Sequence, residues 1–227
     1  MNRLFVLFFL LFGLTAAHAQ IHEIGVFLGG SNYVGDIGPT NYIAPNQPAF
    51  GILYKWNRSP RHSWRISYMQ SRIRSSDKNS DMPSRKQRGY SFENDIKEVS
   101  LGLEFDFFDF NLHDEKPKFT PYVYSGLSYI LYKGLFFVGD QPKFDNTHGS
   151  LAIPMTLGVK AKLQSHFVVG LEVGARISFK DDLDGSNPTN KNLENLKFGN
   201  INSKDWYIFI GFTLTYTFGN KPCYCTQ

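Results

Sequence analysis

Apolar and polar residues alternate with a period of two along eight stretches of this chain, the period of a β-strand with two unlike faces. The last of them is unbroken over 13 residues. Trp206, Ile208, Ile210, Phe212, Leu214, Tyr216 and Phe218 form one face, and Tyr207, Phe209, Gly211, Thr213, Thr215 and Thr217 the other. A tilted strand crosses a bilayer with about 9–11 residues, so this one is long enough. Its apolar face is aliphatic in the middle and aromatic at both ends, as lipid and its two interfaces require.

Seven further stretches repeat the pattern. His22–Gly30 sets Ile24, Val26 and Leu28 against Glu23, Gly25, Phe27 and Gly29. Residues 50–57, 64–68 and 98–107 follow with Phe50, Ile52, Tyr54, Trp56, then Trp64, Ile66, Tyr68, then Val99, Leu101, Leu103, Phe105, Phe107. Phe119–Tyr132 is mixed, with Val123, Leu127, Tyr129 and Leu131 against Tyr122, Tyr124, Gly126, Ser128 and Tyr132. Residues 151–163 and 167–179 alternate cleanly, and Pro154 on the polar face of the former predicts a bulge or a missing ladder bond. The connections 31–48, 74–95, 133–149 and 180–204 are long and polar, and those between them are shorter. Strict alternation of long and short links is the habit of outer-membrane barrels. The pattern predicts an all-β chain, an eight-stranded antiparallel up-and-down transmembrane β-barrel with both termini in the periplasm.

Composition agrees with that reading. Mean hydropathy is −0.28, because a barrel dilutes its lipid-facing residues with a polar lumen face. Residues 1–19 read as a signal peptide: Arg3, an apolar core from Leu4 to Leu14, then Ala17-His18-Ala19. The barrel then occupies 20–218, and 219–227 is a periplasmic tail. A formal charge of +4, without basic residues interleaved with aromatics, points away from nucleic acid and leaves outer-membrane lipid as the surrounding medium.

The inward faces carry charge. Glu23, Lys55, Arg65, Glu104, Asp106, Lys160, Glu172 and Arg176 form a predicted structural network in a lumen too narrow for an ion path. If Trp56 faces Trp64, Lys55 faces Arg65, and neighbouring strands must supply carboxylates. Keeping Leu163 and Phe167 both outward asks for a three-residue turn, Gln164-Ser165-His166, which places Lys160 opposite Gly170 and diagonal to Glu172. Gly29-Gly30 predicts a bulge or bend. No metal-ligand spacing, nucleophile elbow or phosphate loop is present, so neither a catalytic residue nor a cofactor is assigned. His148 and Ser150 are the one pair compatible with a lipid-modifying hydrolase of the membrane wall, with no acid placeable beside them. Cys223 and Cys225 remain as candidate partner-binding residues. A Cys-X-Cys disulfide is strained, two thiolates are half a zinc site, and the tail enters an oxidising compartment. A bond to a partner's cysteine and an idle end stay open.

Glu23-Ile-Gly-Val-Phe-Leu-Gly-Gly-Ser-Asn-Tyr-Val-Gly-Asp-Ile-Gly38, with Ala49–Asn57, Glu98–Phe105 and Thr120–Gly126, resembles the PorG family of small outer-membrane barrels of the type IX secretion apparatus. The resemblance implies a non-enzymatic component that couples the periplasmic ring, made of PorK-like lipoprotein and PorN-like subunits, to the outer membrane. It names the PorK-like lipoprotein as the first candidate for a cysteine bond. The alternative is a generic structural or adhesive barrel that acts through its external loops.

Overall fold

The protein is described by a computed structural model over residues 21–219, apart from 113, 115, 116, 165, 201 and 202. The expected signal peptide, Cys223 and Cys225 lie outside the described residues. Eight strands form: β1 (Ile21–Val34), β2 (Gln47–Asn57), β3 (His62–Ser76), β4 (Ser91–Asp106), β5 (Phe119–Val138), β6 (Gln141–Gln164), β7 (Phe167–Ser178) and β8 (Trp206–Phe218). Each pairs antiparallel with its sequence neighbour, and β1 pairs with β8 to close the barrel. Closure removes both sheet edges, which is what lets strands lie in lipid.

The alternation sets the faces. Ile52, Leu157 and Phe212 point outward, 60%, 62% and 64% exposed, while Phe27, Tyr122 and Tyr207 point inward and are buried. The outward row Tyr68, Val99 and Tyr129 is followed one step up by Gln70, Lys97 and Leu131, then by Arg72, Asp95 and Lys133. Arg72 and Lys133 both bind Asp95, at 3.0 and 3.3 Å. Ion pairs on the outer face mark where these strands leave the apolar band and enter water. At the opposite rim Trp64, Phe107, Phe119, Phe167, Tyr216 and Phe218 stand exposed as the expected aromatic girdle.

Three of the four long links are loops, at 35–46, 77–90 and 179–205. The second holds a short helix, α1 (Pro83–Arg88), opened by proline and ended by Gly89 in the left-handed region. The third differs from expectation. Residues 133–149 are not a loop; β5 and β6 run on as a hairpin that turns at Gly139-Asp140, with Gly139 at φ 65°. Leu135, Phe137 and Val138 supply the alternation there, and a register shift between Lys133 and Leu135 bends the ladder. From Tyr132 to Val138 the hairpin adds about 20 Å along the strand.

Other details adjust the expected ladder. Pro154 interrupts β5–β6 pairing between Ser125↔Met155 and Ser128↔Ala152 without a change of register, so it removes a bond and makes no bulge. Gly29 and Gly30 keep unbroken register with β2 and β8, so no bulge forms there. A Cβ at Gly29 would meet the Ile210 carbonyl at 2.1 Å, so glycine is needed there for close approach. The β6–β7 turn is tighter than the three-residue turn expected. Gln164 pairs with Phe167, and a register shift beside Leu163 turns both Leu163 and Phe167 outward.

Candidate functional site in the lumen and its cap

Short side chains on β8 and glycines on β6 and β7 leave room inside the wall for long charged ones. The Tyr122 ring fills the place of a Cβ at Gly158. Lys55 faces Arg65, as Trp56 faces Trp64. Glu104 answers the like-charge pair: Lys55 Nζ lies 2.6 Å from it, Lys160 Nζ 2.8 Å and the Arg65 guanidinium 3.6 Å. Lys160 also holds Asp106 at 2.9 Å. Arg65 donates two hydrogen bonds to Glu172, at 2.7 and 2.9 Å, and Tyr122 donates a third at 2.6 Å. One layer up, Arg176 meets Glu98 at 3.4 Å and stacks 4.6 Å over Phe209, while Tyr207 donates to Glu98 at 2.5 Å.

All eight predicted network residues are thus buried inside one lumen, with some partners exchanged. Lys160 is diagonal to Glu172 by register, yet its ion pairs reach past β5 to Glu104 and Asp106 on β4. Glu23 accepts from Thr215 at 2.6 Å and Asn57 at 2.9 Å. β4 supplies the carboxylate that Lys55 and Arg65 share.

Both mouths are closed. At the short-turn end Phe110 and Leu112 from the 107–118 connection pack with Ile21 and Val168, and the Leu112 and Asp114 carbonyls accept from Lys162 Nζ. Above the charged layers Phe27, Leu53, Met69, Ile96, Ile130 and Phe209 make an apolar plug continuous with Tyr33, Ile37 and Leu183 of the long-loop end.

That end carries a cap the sequence reading missed. Asp77 accepts from Arg88 Nε at 2.7 Å, Gly38 N at 2.8 Å and Tyr90 N at 3.1 Å, which fixes the first two loops together. Asp181-Asp182-Leu183-Asp184-Gly185 dips into the mouth, with Leu183 buried and its carbonyl accepting from Asn94 at 2.9 Å. Asp182 accepts from Tyr132, from Thr189 at 2.7 Å and from His148 Nδ1 at 3.1 Å. Asp205 accepts from Tyr33 and from Leu183 N at 2.9 Å. Burial, then the charges of Asp184 and Asp36, push the Asp181 carboxyl up to about 7. Burial first, with neighbouring carboxylates, also raises Asp184 and Asp205. The Asp-Asp-X-Asp-Gly run was the available signal, and it passed for an ordinary polar loop.

The hydrolase pair does not assemble. Asp182 does stand beside His148, an acid the sequence could not place. Ser150, however, turns its hydroxyl to the Leu151 carbonyl at 3.0 Å and to Ser178 at 3.4 Å. A nucleophile needs its base within hydrogen-bond reach, and the bonds found for the Ser150 hydroxyl go to these two oxygens and not to His148.

Solved structures share the architecture at low identity. Ail, the attachment invasion locus protein of Yersinia pestis, superposes with a TM-score of 0.48 and 12% identity, over 88% of this chain and 99% of its own. A major outer membrane protein from Thermus thermophilus gives 0.49 and 12%, over 88% and 100%. Neisserial surface protein A gives 0.45 and 10%, over 88% and 96%. No curated protein matches the chain. The family described as a domain of unknown function, DUF6089, matches residues 2–227, and the chain belongs to that family.

Proposed function

We propose that this barrel is a non-enzymatic outer-membrane component that couples the periplasmic ring of the type IX secretion machinery to the membrane. The supporting observation is a lumen filled from end to end. Among the described residues, paired charges and stacked aromatics fill the lumen between two apolar mouths, which supports work done at the surfaces. The Glu23–Gly38 block that carries the PorG resemblance builds β1 and the first turn of the cap. With the short-turn end in the periplasm, the connections at 58–61 and 107–118 and the tail with Cys223 and Cys225 face a PorK-like lipoprotein and a PorN-like ring subunit.

Tagged protein purified from outer membranes should bring down both ring subunits. A barrel that elutes alone, in cells whose type IX secretion survives its deletion, overturns the reading. The projecting β5–β6 hairpin favours a second one, adhesion at the cell surface, since Val138 and Phe144 stand exposed on it. Trimming residues 136–144 separates the two: the adhesion reading expects cell attachment to be lost, whereas ring coupling expects attachment and ring binding both to be unchanged.

A further inference from the structure

The cap holds negative charge that the protein itself does not neutralise. Asp36, Asp181, Asp184 and Asp205 act on one another's charge. Their surroundings supply hydrogen bonds unevenly. Asp205 has two donors, Asp36 takes one from Asn200 N at 3.1 Å, and Asp184 takes one from Ser186 N at 2.8 Å. Asp181 is 5% exposed and Asp184 0%. Both oxygens of Asp181 and Oδ2 of Asp184 are buried without a hydrogen-bond partner. The Asn187 amide approaches Asp181 and the Tyr33 hydroxyl approaches Asp184, each favouring the charged carboxylate, but neither satisfies the buried oxygens. Lys204 acts on Asp181 as a cation, but it is exposed. An ionised carboxylate in such a place is strongly unfavourable unless something pairs with it.

We propose that Asp181 and Asp184, with backbone carbonyls of their loop and water, bind a calcium ion that locks the 179–205 loop into the barrel mouth. The donors are hard oxygens, which suit calcium or magnesium and not a thiol- or imidazole-seeking metal. Among the described residues no three His, Cys, Asp or Glu side chains form a ready-made metal cage. Two carboxylates completed by carbonyls and water make a weak and adaptable site, in the roughly 10⁻⁴–10⁻³ M class of extracellular calcium modules. Calcium accepts that irregular shell more readily than magnesium, which demands a near-ideal octahedron. Gly185, at φ 84°, lets the chain turn between Asp184 and Ser186 and so keeps the loop folded back on itself.

The test uses the full barrel in detergent at about pH 8, with EDTA or with calcium or magnesium chloride near ~1 mM. Calcium should raise the thermal midpoint of the wild type, magnesium less, and terbium should show luminescence sensitised by the nearby tyrosines. Asp181→Asn/Asp184→Asn should lose both responses. In EDTA it should be at least as stable as wild type, because two buried charges are gone; folding failure therefore does not confound the result. At about pH 5, protons should compete and shrink the calcium shift. A wild type indifferent to calcium at about pH 8, or a double variant that keeps the full shift, overturns the site.

Discussion

Lys55 and Arg65 stand directly opposite each other across β2 and β3, both buried, and both reach the same carboxylate, Glu104. Like charges in that relationship are destabilising by themselves, and Lys160 adds a third cation to the same group. Glu104 is therefore the hub of the network. Replacing it with Gln leaves three buried cations short of a charge, at a cost of about 3–5 kcal/mol. Urea unfolding in lipid vesicles measures the loss. The exposed Glu194→Gln should be neutral by the same assay, and equal stability of the two variants would refute the assignment.

The outer face makes a different demand. Leu171 points to lipid between Val159 and Phe212. Leu171→Arg should cost about 2–4 kcal/mol at mid-membrane, read from the same titrations. Gly170 is its inward neighbour, and a Cβ there would sit 2.5 Å from Thr213 Oγ1. Gly170→Ala should destabilise by crowding, in detergent and lipid alike, whereas the arginine penalty should be larger in lipid.

How much of this was legible in the sequence varies with the kind of interaction. The period of two separates lipid-facing residues from inward ones, and it puts Phe27 on the inner face, where it joins the apolar plug. It also fixed Lys55 opposite Arg65, because Trp56 and Trp64 must share a face. The partners of Lys160 were not legible. Register gives neighbours along the wall, but in a narrow barrel a long side chain can reach past the adjacent strand, as Lys160 on β6 reaches Glu104 on β4, or straight across the lumen, as Arg65 on β3 reaches Glu172 on β7. The β5–β6 hairpin was missed because its Gly, Pro, Asn and Asp residues resemble loop, although Gly139-Asp140 alone makes the turn. The cap was missed for another reason. A loop's burial depends on what it folds against, and nothing local in Asp181–Gly185 says that Leu183 will sit under Tyr33.

A filled lumen should not conduct. Tyr122, Tyr124, Tyr207 and Phe209 are buried across its middle, among paired guanidinium groups. Planar-bilayer recordings of the purified barrel should show no steady open state, and a stable conductance of porin size would contradict the plug.

The tail predicts a covalent test of the ring-coupling proposal. If Cys223 or Cys225 bonds to a partner's cysteine in the oxidising periplasm, non-reducing gels of thiol-blocked cells should show a reducible higher-mass band. Cys223→Ser/Cys225→Ser should abolish it. A wild type that runs only as monomer, with a double variant that secretes normally, removes the tether and leaves a non-covalent contact.

The cap should loosen as the medium becomes alkaline. The Asp181 carboxyl titrates at about 7 in the folded protein, against an ordinary value of 3.8, through burial first and then the charges of Asp184 and Asp36. A folded-state pKa above the open-state value means that the closed loop holds a proton the open loop gives up. That contribution is complete below about pH 4 and is lost as pH rises through about 7. Asp184 and Asp205, raised for the same reasons, push in the same direction, and Lys204 opposes them only at Asp181. The reporters are the amides that close the loop, Leu183 N–H to Asp205 and Ser186 N–H to Asp184. Measured in EDTA and corrected for intrinsic exchange, their hydrogen-exchange protection should fall between about pH 5 and about pH 8. Asp181→Asn should flatten that fall while the central strands stay protected throughout. Protection that rises with pH, or a slope that the asparagine leaves unchanged, would mean that another group governs the cap.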